Sequence, residues 1–89
     1  MISRQATVAA PEGLHARPAA EFVQAVRATG LPVMISTAGR PPVPATSILS
    51  VLTLGVKQGG TVVLSIADDH DGAPAALAGL VQVLEEPAQ

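Results

Sequence analysis

The chemistry-bearing part of this chain is compressed into Gly13-Leu14-His15-Ala16-Arg17-Pro18. His15 is the one side chain there that can act as a nucleophile and exchange a proton near neutral pH. It stands where a β-rich stretch gives way to a helical period. The start of that helix directs unsatisfied backbone N–H groups and the positive end of the dipole at the loop. An anion such as phosphate is stabilised in that place. Gly13 lets the backbone turn sharply just before the histidine. Arg17, two residues on, offers a fork of donors that fits phosphate oxygens bidentately. Pro18 fixes the first helical turn where a missing N–H costs nothing. Nucleophile, anion cradle and charge clamp thus fall together. Singly they are ordinary, since a loop histidine is commonly incidental and a lone arginine commonly solvated. His70, in the acidic turn from Asp68 to Gly72, has no such company and is read as solvated or capping.

A site of this kind needs a strand to deliver the loop and a helix to receive it. Met1 to Ala9, Leu31 to Thr37 and Thr61 to Ala67 are rich in β-branched residues and of strand length. Val62, Leu64 and Ile66 share one face, as do Val33 and Ile35. The segment around Val43 carries Pro41, Pro42 and Pro44, so as a strand it belongs on a sheet edge. Ala19, Phe22, Val23 and Val26 fall at i, i+3, i+4, i+7, which predicts a helix stopping at Gly30. Ser47 or Thr46 can cap a short second helix through Ile48, Val51 and Leu52 to Gly55. A third helix begins near the Asp69–Asp71 cluster with Pro74 in its first turn. Its apolar stripe is Ala73, Ala76, Leu77, Leu80, Val81 and Leu84. The order β-α-β-β-α-β-α contains two βαβ-like crossovers and predicts an open sheet covered by helices on one face.

Composition removes several function classes. The 89 residues suffice for one domain, 1–89, and their single aromatic leaves an aliphatic core with little stacking for a flat cofactor. The five basic residues are scattered in a chain of net charge −2, against the clustered basic face that nucleic acid needs. There is no cysteine, and the two histidines lack zinc-site spacing. Neither a signal peptide nor a bilayer-spanning segment is expected, which points to a cytoplasmic protein without membrane insertion.

Gly13-Leu14-His15-Ala16-Arg17-Pro18-Ala19-Ala20, followed by Phe22-Val23, resembles the active-site signature of the HPr family. These are histidine-containing phosphocarriers of the bacterial phosphoenolpyruvate-dependent sugar phosphotransferase system (PTS). A second block, Ser47-Ile48-Leu49-Ser50-Val51-Leu52-Thr53-Leu54-Gly55-Val56-Lys57-Gln58-Gly59, resembles the family's regulatory-serine motif at the expected distance. The resemblance covers essentially the whole chain.

It implies an α+β fold, the HPr open-faced β-sandwich with a four-stranded antiparallel sheet and three helices on one face. His15 would accept phosphate at Nδ1 from phosphorylated Enzyme I and pass it to the EIIA domain of a sugar permease, with Arg17 stabilising the phosphohistidine. Ser47 would be phosphorylated by HPr kinase/phosphorylase, and transcriptional regulators are possible further partners. The chain would be a stoichiometrically phosphorylated carrier, not an enzyme, and a monomer. Magnesium and phosphoenolpyruvate belong to Enzyme I, so no cofactor or metal is assigned here. By the same analogy Ile48, Leu49, Leu52 and Thr53 form an apolar docking patch. Ala20, Gln24 and Arg27, at i, i+4, i+7 on the face away from Phe22, supply its other half. The alternatives are a regulatory binding module of this fold and the nitrogen-related branch of the same system. The chain departs from the family pattern at Glu12, where many relatives have Asn. It departs also at Thr46, where Lys or Arg is frequent, and at Pro41-Pro42, which reads as a one-residue insertion.

Overall fold

The computed structural model describes residues 1–67 and 71–86. The reading of His70 therefore lies outside the described residues, as does the acidic turn at 68–70. The elements are β1 (Ile2–Thr7), α1 (Ala16–Thr29), β2 (Val33–Thr37), β3 (Val43–Pro44), α2 (Ile48–Thr53), β4 (Thr61–Ile66) and α3 (Ala73–Glu85). This is the expected order, with strand ends trimmed by one or two residues. The largest difference is at β1, which stops at Thr7 because Val8 and Ala9 turn their backbones elsewhere. The Val8 N–H donates to the Gly60 carbonyl at 2.9 Å, and the Ala9 N–H to the Leu84 carbonyl at 3.0 Å.

The sheet runs β1-β4-β2-β3, and every neighbouring pair is antiparallel. β4 inserts between β1 and β2, so neither crossover joins adjacent strands. β1 and β2 each pair with β4 in register from Ile66, and the two βαβ-like units become interleaved. β3 is two residues long and sits on the edge, as its prolines require. The ladder resumes past Pro44 when the Ala45 N–H donates to the Val33 carbonyl at 2.9 Å.

Val33, Ile35, Val62, Leu64 and Ile66 fill the covered face of the sheet. The helices pack on it through the residues whose period marked them. α1 buries Ala19, Phe22, Val23 and Val26, and α3 buries Ala73, Leu77, Leu80 and Leu84. Phe22, the lone aromatic, is fully buried in this aliphatic core. No helix among the described residues is long and apolar enough to cross a membrane.

Candidate functional site

The loop from β1 to α1 is pinned from several sides before it reaches His15. Its backbone turns at Ala10 to Gly13, closed by a 2.8 Å hydrogen bond from the Gly13 N–H to the Ala10 carbonyl. Gly13 has φ +70 and lies against the backbone of Val56 and Lys57. A Cβ there would collide with the Val56 carbonyl oxygen and come within 2.8 Å of Lys57 Cα. The next residue, Leu14, is fully buried and donates its N–H to the same Val56 carbonyl at 2.9 Å. Gln58 Nε2 adds a 3.2 Å bond to the Ala9 carbonyl. His15 therefore leaves a fixed point, anchored to the segment between α2 and β4.

His15 is the N-cap residue of α1, with extended backbone, and its exposed ring makes no capping hydrogen bond. The imidazole is thus not consumed by the helix it opens. Pro18 has no N–H, and the Ala19 N–H donates to the His15 carbonyl at 3.4 Å. Of the first four helical donors, those of Ala16 and Arg17 have no backbone partner among the described residues. Two unpaired backbone N–H groups and the positive end of the helix dipole therefore lie at the histidine's end of α1, with Arg17 exposed in its first turn. This arrangement can hold an oxyanion next to a nucleophilic ring.

The sequence held no signal for the conformation of Ala16. Its φ is +52, in the left-handed region that a Cβ disfavours by about 1–2 kcal/mol. The burial of Leu14 on one side and of Ala19 and Phe22 on the other leaves few residues to turn the chain. This strained position directly follows His15 in the chain.

A cleft of about 640 Å³ opens beside the start of α1, against the end of α3. Its floor includes Val8, Leu14 and Leu84, and its lining includes Arg17, Glu12, Glu21 and Glu86. Glu12, the departure from the family pattern, is exposed and faces this cleft. His15 is not among its lining residues, although its neighbours Leu14 and Ala16 are. Among the described residues no group of three His, Cys, Asp or Glu side chains stands close enough to hold a metal ion.

The second predicted block folds as a short helix. Ser47, not Thr46, is its cap, with Oγ accepting from the Ser50 N–H at 3.3 Å. Val51 is buried, and Ile48 and Leu52 are half-buried against the core. Leu49 is 73% exposed, which makes it the protruding apolar side chain of α2. Thr53 is exposed, as are Ala20, Gln24 and Arg27 on α1. Arg27 is also engaged, its Nε donating to the Thr46 carbonyl at 3.0 Å and so joining α1 to the residue before Ser47. Arg40, which carried no assignment from sequence, donates Nη1 to the Thr53 carbonyl at 2.8 Å.

Residues 2–86 match the family model described as PTS HPr component phosphorylation site. The phosphocarrier protein HPr of Streptomyces coelicolor is 49% identical over 86 residues, covering 97% of this chain and 90% of the relative. A crystal structure of a phosphocarrier protein HPr from Bacillus anthracis superposes with a TM-score of 0.83 at 28% identity, covering 93% of this chain and 95% of that one. A crystal structure of HPr-C-His from Thermoanaerobacter tengcongensis gives a TM-score of 0.77 at 35% identity, with 97% and 98% coverage. The open four-stranded antiparallel sheet with three helices is the fold of these structures.

Proposed function

Because the chain belongs to the HPr family of phosphotransferase-system phosphocarriers, we propose that His15 is its phosphoryl acceptor, charged by phosphorylated Enzyme I and discharged to an EIIA domain. The observation that carries this reading is the exposed His15 ring, free of capping duty at the N-terminus of α1. Its Nδ1 lone pair attacks the phosphorus in line. As the new N–P bond forms, the bond from phosphorus to the donor breaks and its electron pair leaves with the donor. Arg17 and the free N–H groups of Ala16 and Arg17 neutralise the phosphoryl oxygens. Positioning and charge stabilisation are all that such a transfer asks of a carrier. The return step, to EIIA, is the same displacement with His15 as the leaving group. The protein turns over no substrate by itself, works in the cytoplasm and needs no cofactor of its own.

The test is incubation with phosphoenolpyruvate, Enzyme I and magnesium, followed by intact mass measurement. A gain of one phosphoryl group that is lost in acid is expected. No gain with a competent Enzyme I sinks the reading.

Docking is assigned to α2 together with Ala20, Gln24 and Arg27. Leu49 contributes the apolar contact, and a small patch suits a carrier that must leave one partner and find the next. Leu49→Ala is expected to raise the apparent KM for transfer from Enzyme I roughly threefold to tenfold, as for an exposed interface side chain of moderate weight. Its folding stability should change by no more than about 0.5 kcal/mol, because the side chain is in solvent. An unchanged KM would remove Leu49 from the docking surface.

Ser47 is assigned as a regulatory site for an HPr kinase/phosphorylase. A phosphoryl group there would place about two negative charges on the docking face, impeding partners with acidic surfaces and offering a handle to regulators. With ATP and that kinase, an acid-stable adduct is expected, and it should be missing from Ser47→Ala. The same substitution removes the cap and should cost about 1 kcal/mol in denaturant unfolding. An adduct that persists in Ser47→Ala would place the modification elsewhere.

A further inference from the structure

The helix on which docking depends is poorly equipped to hold itself in place. α2 has six residues, far fewer than an isolated helix needs, and Val51 is its one fully buried side chain. Its order has to come from its ends.

The carbonyls of the last turn show how this is done. The Ser50 carbonyl accepts from Thr53 Oγ1 at 2.6 Å, that of Val51 from the Leu54 N–H at 3.2 Å, and that of Leu52 from the Gly55 N–H at 3.3 Å. The Thr53 carbonyl alone depends on a distant residue, taking Arg40 Nη1 at 2.8 Å. The carbonyl before the helix, that of Thr46, is held by Arg27 Nε at 3.0 Å. Two arginines from outside α2 thus grip the backbone at its two ends. A guanidinium at a helix C-terminus also sits at the favourable end of the peptide dipoles.

Arg40 is a stiff tether. Its N–H closes a turn on the Thr37 carbonyl at 3.1 Å, at the very end of β2. Pro41 follows and restricts the Arg40 backbone to extended conformations. The side chain is therefore delivered from the frame of the sheet to the end of α2. Leu49 and Thr53 are four residues apart and share a helix face. Loosening the backbone at Thr53 loosens the face that carries Leu49.

We propose that Arg40 is a positioning residue for docking: it holds α2 in its binding orientation by gripping the Thr53 carbonyl, so that a partner need not order the helix on arrival. The inference rests on the reading of α2 as the docking helix. Without the tether the exposed Thr53 carbonyl turns to water, so the global fold keeps its stability while the last turn of α2 frays. The ordering that the tether supplied then falls on the binding step, where it weakens affinity. His15 is anchored separately through Leu14 and the Val56 carbonyl, so the chemical step is spared.

Two variants of the full chain test this: Arg40→Met, which keeps the reach and removes the donors, and Arg40→Lys, which keeps a charge and a donor. Three quantities are read: amide hydrogen exchange, the melting temperature, and KM and the saturated rate for transfer from phosphorylated Enzyme I. For Arg40→Met, exchange at the Leu54 and Gly55 amides should quicken roughly threefold to tenfold, with amides of α1 and β4 unchanged. KM should rise by a similar factor, the saturated rate should stay within about twofold, and Arg40→Lys should recover part of both effects. Unchanged exchange in α2 overturns the tether whatever the kinetics do, and a KM change without it makes Arg40 a direct partner contact. Faster exchange with an unchanged KM overturns the positioning role. Loss of the global fold in both variants overturns the confinement of the effect to α2. If the unsubstituted chain accepts no phosphoryl group, the carrier reading itself falls and takes the docking role of Arg40 with it. The exchange data then judge the tether alone.

Discussion

His15→Ala protein is expected to return from incubation with phosphoenolpyruvate, Enzyme I and magnesium with its mass unchanged, while the unsubstituted chain gains one acid-labile phosphoryl group. Complete loss is expected because the proposed transfer has one acceptor atom. Alanine has no lone pair to attack phosphorus, and no second nucleophile accompanies His15 in Gly13 to Ala20. The same substitution should leave the fold nearly untouched. The ring is exposed and makes no capping bond, so nothing in the core is lost. A stability change within about 0.5 kcal/mol, or a melting shift within about 4 °C, is expected. This pairing of total functional loss with structural silence is what separates an acceptor from a structural histidine. An acid-labile adduct on the alanine variant would place the acceptor elsewhere in the chain.

Gly13→Ala is expected to do the opposite and damage the frame. Two costs combine at this position. The backbone has φ +70, which disfavours any Cβ by about 1–2 kcal/mol. The new carbon would also meet the backbone of Val56 and Lys57, with Lys57 Cα at 2.8 Å. Backbone cannot swing aside as a side chain can, so the collision adds about 1–3 kcal/mol. The sum, about 2–5 kcal/mol, is a large share of the stability of a chain this size and should lower the melting temperature by more than about 10 °C. Gly30→Ala is the matched control, since Gly30 has the same φ of +70 and nothing within 4 Å of its would-be Cβ. It should show the conformational cost alone. The excess of Gly13→Ala over Gly30→Ala measures how tightly the loop is pressed on Val56. Equal shifts for the two would mean that the close approach carries no energy. Where the Gly13→Ala protein still folds, phosphoryl acceptance should also slow, because the same Val56 carbonyl positions Leu14 next to His15.

Much of this molecule is legible without coordinates, and the reason is periodicity. Ala19, Phe22, Val23 and Val26 share a helical face in any straight helix, and they are the residues that α1 buries. Val62, Leu64 and Ile66 alternate, and they are the buried face of β4. His15 and Arg17 are two residues apart at the helix start, so local geometry alone makes His15 the N-cap of α1 and puts Arg17 in its first turn. Ile48 and Leu49 could not both face the core, though which of them protrudes is decided by packing.

What tertiary structure decided lies in contacts between residues far apart in the chain. The apparent βαβ units gave no hint that β4 would come between β1 and β2, because pairing partners are chosen by the whole core and not by neighbours. The left-handed backbone of Ala16, between buried Leu14 and buried Ala19, has no signature in the local sequence. Arg40 reads in sequence as one more turn residue before two prolines, yet its guanidinium holds the last carbonyl of α2. The place of His15 at the start of α1 and the apolar faces of helices and strands are legible in the sequence, because they depend on spacing along the backbone. Only the folded chain decided strand order, the strain beside His15 and the grip on α2, since each depends on how distant segments press on one another.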